Sequence, residues 1–135
     1  MKEEPEMMLE TVYGPPIRYY IDANGKYIGG TDGLALSEYE VAFPPEYFDQ
    51  IWDGSAWGES IYWLTQIENA WRESEIFVIV RQLEALEEEE AGVPPDDILP
   101  GTRTQWLAYR GKVRAWKEGF QGFPHQVNRP VRPAE

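Results

Sequence analysis

The chain has 135 residues, 42% hydrophobic and 14% aromatic, which is too apolar for a disordered protein and enough for one small domain or two very small ones. Its 24 acidic and 12 basic side chains give a net charge of −12, which argues against a nucleic-acid binder because neutralising phosphates needs a basic surface. Cysteine is absent, so neither a disulfide framework nor a thiolate zinc site is available. Residues 1–16 mix charge with Pro5, Pro15 and Pro16 and read as a loosely held arm, in which Met7, Met8 and Leu9 suit a docking peptide. The arm lacks the apolar core of a signal peptide, and no stretch approaches the roughly 18 apolar residues of a membrane span. The expectation is a soluble cytosolic protein.

Residues 17–59 read as a small antiparallel β module. Apolar runs flank Asp22-Ala23-Asn24-Gly25, and Asn-Gly is a strong two-residue hairpin signal because both positions tolerate positive φ. Residues 38–43 alternate charged and apolar side chains as a half-buried strand does, and Pro44-Pro45 ends them. A short strand at 50–52 turns at Asp53-Gly54 towards Trp57, giving a sheet of three to five strands that needs cover from a helix.

Ser60 is a candidate N-cap for a helical segment over residues 60–91, as one long helix or two with a kink. Leu64, Ile67 and Trp71 follow helical spacing. Ile76–Val80 is a run of five β-formers, so a local strand stays open there, although helix formers lie on both sides. The run Glu87–Glu90 places like charges at the negative helix end, which predicts fraying near Glu88, with Gly92 as the C′ residue. Pro94, Pro95 and Pro100 make a stiff connector to a second helix over 102–118. There Thr102 and Gln105 form a capping box, and Trp106, Tyr109, Val113, Trp116 and Phe120 recur on one face. Gly119 and Gly122 stop that helix, and Pro124, Pro130 and Pro133 predict an extended tail.

Charge is uneven: residues 1–92 hold 20 acidic and 5 basic side chains, and residues 93–135 hold 4 and 7. The Asp22 loop begins like a calcium site, but Lys26 and Tyr27 stand where a ligand and a glycine are needed. His125 is the single histidine, no Gly-x-Ser-x-Gly elbow accompanies it, and no glycine-rich loop carries Gly-Lys-Ser/Thr. No catalytic, cofactor-binding or metal-ligating residue is therefore assigned, and the chain reads as a non-enzyme. The aromatic side chains are the informative feature. Trp63, Trp71, Trp106 and Trp116 suit packing between the two helices, whereas Tyr47, Phe48, Trp52 and Trp57 cluster in the turn-rich β region, where exposed rings suit a protein partner or stacking on sugar.

Trp106-x-x-Tyr109-Arg110, then Gly122-Phe123-Pro124, closed by Arg129-Pro130 and Arg132-Pro133 and preceded by Trp71-Arg72-Glu73-Ser74-Glu75, resembles the C-terminal signature of bacteriophage tail (tail fibre) assembly chaperones. The resemblance covers about Ile61 to Pro133 and rests on the order of several short motifs. The β module followed by the two helices makes an α+β protein, and the resemblance marks residues 60–135 as a helical chaperone-like domain. It implies a non-enzymatic role in the host bacterial cytoplasm, a phage tail-fibre or tail protein as client, and neither cofactor, nucleic acid nor membrane. On that reading Trp106, Tyr109, Arg110, Trp116, Phe120, Phe123, Arg129 and Arg132 form the client surface, with Tyr47, Phe48, Trp52 and Trp57 as the alternative. A rival reading is a structural or receptor-contacting component retained in the virion tail. Two fates stay open for the tail: docking on the client, which makes it dispensable for folding, or folding back over the helix pair.

Overall fold

The structure, a computed structural model, describes residues 14–134; most of the expected N-terminal arm, including Met7, Met8 and Leu9, lies outside the described residues. The chain divides into two compact units that meet between Ser60 and Ile61. It is a small α+β protein: a three-stranded antiparallel sheet followed by two packed helices.

Strands β1 (Arg18–Ile21), β2 (Tyr27–Thr31) and β3 (Tyr39–Val41) form one sheet in the order β2-β1-β3. Tyr20, Ile21 and Val41 are its buried apolar residues. The β1–β2 hairpin is present, but its turn differs from the two-residue form that Asn-Gly suggests. The Asp22 carboxylate accepts from the amides of Asn24 and Lys26, both at 2.9 Å, which starts the turn early and leaves only Gly25 at positive φ. The Gly25 amide donates to the Asp22 carbonyl, and the Trp52 amide donates to the Gly25 carbonyl at 2.9 Å. A Cβ on Gly25 would stand 2.3 Å from the Trp52 carbonyl oxygen, so this close approach admits glycine alone. The strands expected at 50–57 shrink to isolated bridges, Lys26 with Ile51 and Trp52 with Trp57. Here too a side chain takes over from the ladder, because the Asp53 carboxylate caps the amides of Ser55 and Ala56 at 2.8 Å.

Helix α1 (Ile61–Glu90) is a single helix, unbroken through Ile76–Val80. Glu68, Glu75, Ile79, Gln82 and Leu86 recur at spacings of seven, four, three and four, which gathers them on one buried stripe. The helix continues past Glu88, the expected point of fraying, to Glu90. Arg81 lies 2.8 Å from Asp97, 3.3 Å from Glu88 and 3.7 Å from Glu84, and Arg103 lies 3.7 Å from Glu87, so cations offset the repulsion in the acidic end. Gly92, at φ +85°, closes the helix: its amide donates to the Glu89 carbonyl and that of Val93 to the Glu88 carbonyl, a Schellman end.

The connector is tied to α1 by buried Gln82, which donates to the Asp97 carbonyl at 3.1 Å and accepts from the Leu99 amide at 2.8 Å. Helix α2 (Arg103–Ala115) starts with both capping-box bonds made, Gln105 amide to Thr102 hydroxyl and Thr102 amide to Gln105 side chain. It stops before the expected residue 118. Trp116 leaves helical geometry at φ −75° and ψ 88°, and Arg72 donates to its carbonyl at 2.7 Å. Ile79 and Leu86 of α1 pack with Trp106, Tyr109 and Val113 of α2 as the core, and Trp71, Ile76, Leu83 and Ile98 border it.

Beyond α2 the chain is less extended than its prolines suggest. Turns run from Lys117 to His125, a 3-10 turn spans Gln126–Asn128, and only the residues from Arg129 onward lack turns and regular structure.

Candidate partner-binding surfaces

The residues singled out in the second helix and tail converge, and what they converge on is α1. The Glu68 carboxylate accepts from both Arg129 nitrogens at 2.7 Å and from the Trp116 indole at 2.9 Å. Seven residues along, the Glu75 carboxylate accepts from both Arg132 nitrogens at 2.7 Å and from the Tyr109 hydroxyl. Between the two, the Arg129 guanidinium lies 4.7 Å from the centre of the Trp71 ring. Each buried carboxylate thus receives one bidentate arginine from the tail and one ring donor from α2 or its C-cap. Among the described residues no buried side-chain nitrogen or oxygen lacks a hydrogen-bond partner.

The spacings explain the match. Seven residues of helix rise about 10.5 Å, and three residues of proline-type extended chain span about 9 Å. Pro130 and Pro133 favour that conformation, and Arg129 adopts it at φ −57° and ψ 146°. Tyr109 and Trp116 are also seven residues apart, and they meet Glu75 and Glu68 in the reverse order, as an antiparallel helix pair requires. Burial pushes the Glu68 carboxyl upward, but the bonds from Arg129 and Trp116 outweigh it and leave the group below the usual carboxylate range. The Arg132 bonds hold Glu75 low against burial, and burial next to Glu75 raises the Tyr109 phenol, which stays protonated as a donor.

These contacts decide where each predicted residue stands. Trp106, Tyr109 and Trp116 are buried core. Arg129 and Arg132 are committed to α1, and Phe120 and Phe123 stand edge-to-face on Trp116 at 6.0 and 5.2 Å. The tail has therefore folded back over the helix pair: Pro133 comes so close to Gly101, at φ +121°, that a Cβ there would stand 2.7 Å from it. Of the predicted client surface, Phe120 and the paired Arg132 keep substantial exposure, and Arg110 is half-buried. Trp71 is half-buried against the core, whereas Trp63 stands 44% exposed instead of filling the helix interface.

In the β unit Trp52 and Trp57 pack edge-to-face at 5.4 Å, with Phe43 against Trp52 and Tyr27 against Trp57. The Trp57 indole donates to the Phe43 carbonyl at 3.0 Å. Tyr47 is half-buried and Phe48 is 72% exposed. Among the described residues no three His, Cys, Asp or Glu side chains gather as a metal site, and no helix is long and apolar enough to cross a membrane.

Sequence reasoning passed over the outer face of α1. Ile76–Val80 is apolar all round, yet only Ile79 is fully buried; Phe77 is 78% exposed and Val80 is also exposed. An open groove of about 500 Å³ runs beside Ile76 and Phe77, bordered by Arg72 and Arg114. The signal was the run itself, since a helix apolar on every side asks for cover on every side. Searches of protein families, of curated proteins and of solved structures find no match to this chain.

Two predictions follow from the paired carboxylates. Truncation after Gly122 removes both arginines and uncovers Trp116. Breaking one buried pair costs about 3–5 kcal/mol, and the greater exposure of Arg132 lessens its share, so the melting temperature should fall by on the order of 10–20 °C. An unchanged thermal melt by circular dichroism would contradict the pairing. As to pH, a depressed folded pKa contributes stability that is full above the unfolded value near 4.5 and is lost as pH falls through the lowered folded values. The melting temperature should hold from neutrality to about pH 5 and drop below it, less steeply in a Glu68→Gln, Glu75→Gln double variant. A melting temperature that rises on acidification, or parallel curves for the two proteins, would contradict this.

Proposed function

We propose that this chain is a non-enzymatic assembly chaperone for a bacteriophage tail or tail-fibre subunit, acting in the host cytoplasm and needing no cofactor. The observation that carries this reading is the ordered run from Trp71 through Trp106, Tyr109, Phe123, Arg129 and Arg132, which resembles the signature of that family. Tyr109, Arg129 and Arg132 bond to Glu68 or Glu75, Trp71 lies against Arg129, Phe123 packs on Trp116 and Trp106 on Tyr109, so the run behaves as a unit rather than as scattered short motifs. The physical task suits the surface. Fibre and tail subunits expose apolar or unpaired-edge surface until they trimerise or dock, and a partner with its own exposed apolar groove shields that surface meanwhile. Phe77, Val80 and the groove beside Ile76 supply such a face. The clamp leaves the core residues of the motif as scaffold and gives the client contact to side chains that point outward.

A second reading, a virion component that contacts a receptor or sugar, is favoured by one feature of the β unit. An open groove of about 550 Å³ is lined by Tyr39 and Trp52 together with Glu38, Glu40 and Asp53, rings and carboxylates of the kind that stack on and hydrogen-bond to sugars. Co-expression with a tail or tail-fibre subunit of the same phage separates the two. The chaperone reading expects a higher soluble yield of the subunit, co-purification with it, and absence from purified particles. Presence in particles with no effect on subunit solubility would contradict it and favour the second reading.

A further inference from the structure

The helical unit uses its cations unevenly. Arg72, Arg81, Arg103, Arg129 and Arg132 are each engaged with a carbonyl or a carboxylate. Among the described residues Arg110, Lys112, Arg114 and Lys117 make neither an ion pair nor a side-chain hydrogen bond. All four lie within one short stretch of α2 and the turn after it: Arg110 and Arg114, four apart, share a face of α2, and Arg114 and Lys117 line one groove, which makes a basic stripe. In a protein of net charge −12, a group of cations with no internal partner is an electrostatic mismatch that a ligand can relieve.

The stripe is bordered by apolar surface on both sides. Arg114 lines the groove that holds Ile76 and Phe77, and it also lines a second open groove, of about 670 Å³, with Lys117 and Phe120. Phe77 and Phe120 are 78% and 48% exposed. We propose that this face binds an acidic segment of a partner protein, with its apolar side chains seated against Phe77 and Phe120 and its carboxylates on Arg110, Arg114 and Lys117. Charge complementarity chooses the occupant. A uniform polyanion such as nucleic acid would also meet Glu73 and Glu118, which line the same grooves, whereas a segment that interrupts its carboxylates with apolar residues matches the alternation. The inference names the chemistry of the client segment, and it rests on the chaperone reading only for that partner being a tail or fibre subunit.

The test uses the full chain and a fluorescein-labelled peptide in which pairs of glutamates alternate with leucines, read by polarisation. The peptide should bind and should weaken steeply on raising salt from about 0.05 to 0.3 M. Arg114→Glu with Lys117→Glu should weaken it about tenfold while the thermal melt stays unchanged, because both side chains are exposed and unpaired. Phe77→Ala should weaken it with the salt dependence kept. A lysine-for-glutamate peptide and duplex DNA should both bind less well. Absence of binding to the folded chain, full binding by the charge-reversed variant, or tighter binding of DNA would overturn the proposal. Self-association abolished by Phe77→Asp would also overturn it, by making the face a contact between copies. Co-purification of a tail subunit that survives Arg114→Glu with Lys117→Glu would overturn this face and leave the chaperone reading standing. Peptide binding without any co-purification would uphold the face and count against that reading.

Discussion

Two carboxylates buried on one helix are the constraint to which the helical unit answers. Removing a carboxylate from water costs several kcal/mol unless a cation and further donors replace the lost hydration. Glu68 and Glu75 stand on the stripe that also holds Ile79 and Leu86, so they enter the interior with the core. α2 brings one ring donor to each, and the tail brings one arginine to each. The position of α2, the return of the chain through residues 117–128 and the course of the tail are all fitted to these two points.

Such pairs contribute more to register than to net stability. Apolar residues of similar size often replace a buried ion pair at no loss, whereas removing one partner is strongly destabilising. Applied here, a slide of α2 by one turn would part Glu68 from the Trp116 indole, and a shift of the tail by one residue would part both carboxylates from their arginines. Alternative packings of a short, aromatic helix pair are penalised in this way. The same geometry removes Trp106, Tyr109 and Trp116 from the surface and commits Arg129 and the more exposed Arg132 to carboxylates of α1. What the clamp does not use, the outward side of α1 and the unpaired cations of α2, stays at least partly exposed.

Much of the secondary structure was legible because it depends on neighbours in sequence. The Thr102–Gln105 box, the glycine end at Gly92 and the hairpin at Asp22–Gly25 are local chemistry, and each stands where its residues place it. The turn type at Asn24-Gly25 was misread because the Asp22 carboxylate, two residues upstream, captures the amides first. The length of α2 was misread because Arg72, far away in sequence, binds the Trp116 carbonyl and helps to end it. The clamp was the largest omission. Neither Glu68 nor Glu75 was singled out as a buried group, and nothing local distinguishes them from the exposed Glu73 or Glu84. The available signal was one of matched length: two glutamates seven apart within an apolar helical stripe, and two arginines three apart between prolines. Both pairs span about 10 Å. The proposed binding face, by contrast, consists of side chains that the fold leaves unused, and periodicity does not separate those from ordinary solvent-facing residues.

The most direct measurement is a double-mutant cycle on Glu68 and Arg129, each changed to glutamine singly and together, with stability measured by chemical denaturation. If the carboxylate requires the arginine, the single variants should each lose a few kcal/mol, and the double variant should lose less than their sum by about 1–3 kcal/mol. Losses that add to within about 0.5 kcal/mol would mean that the two groups do not interact in solution, and would contradict the account of a unit assembled around its buried carboxylates.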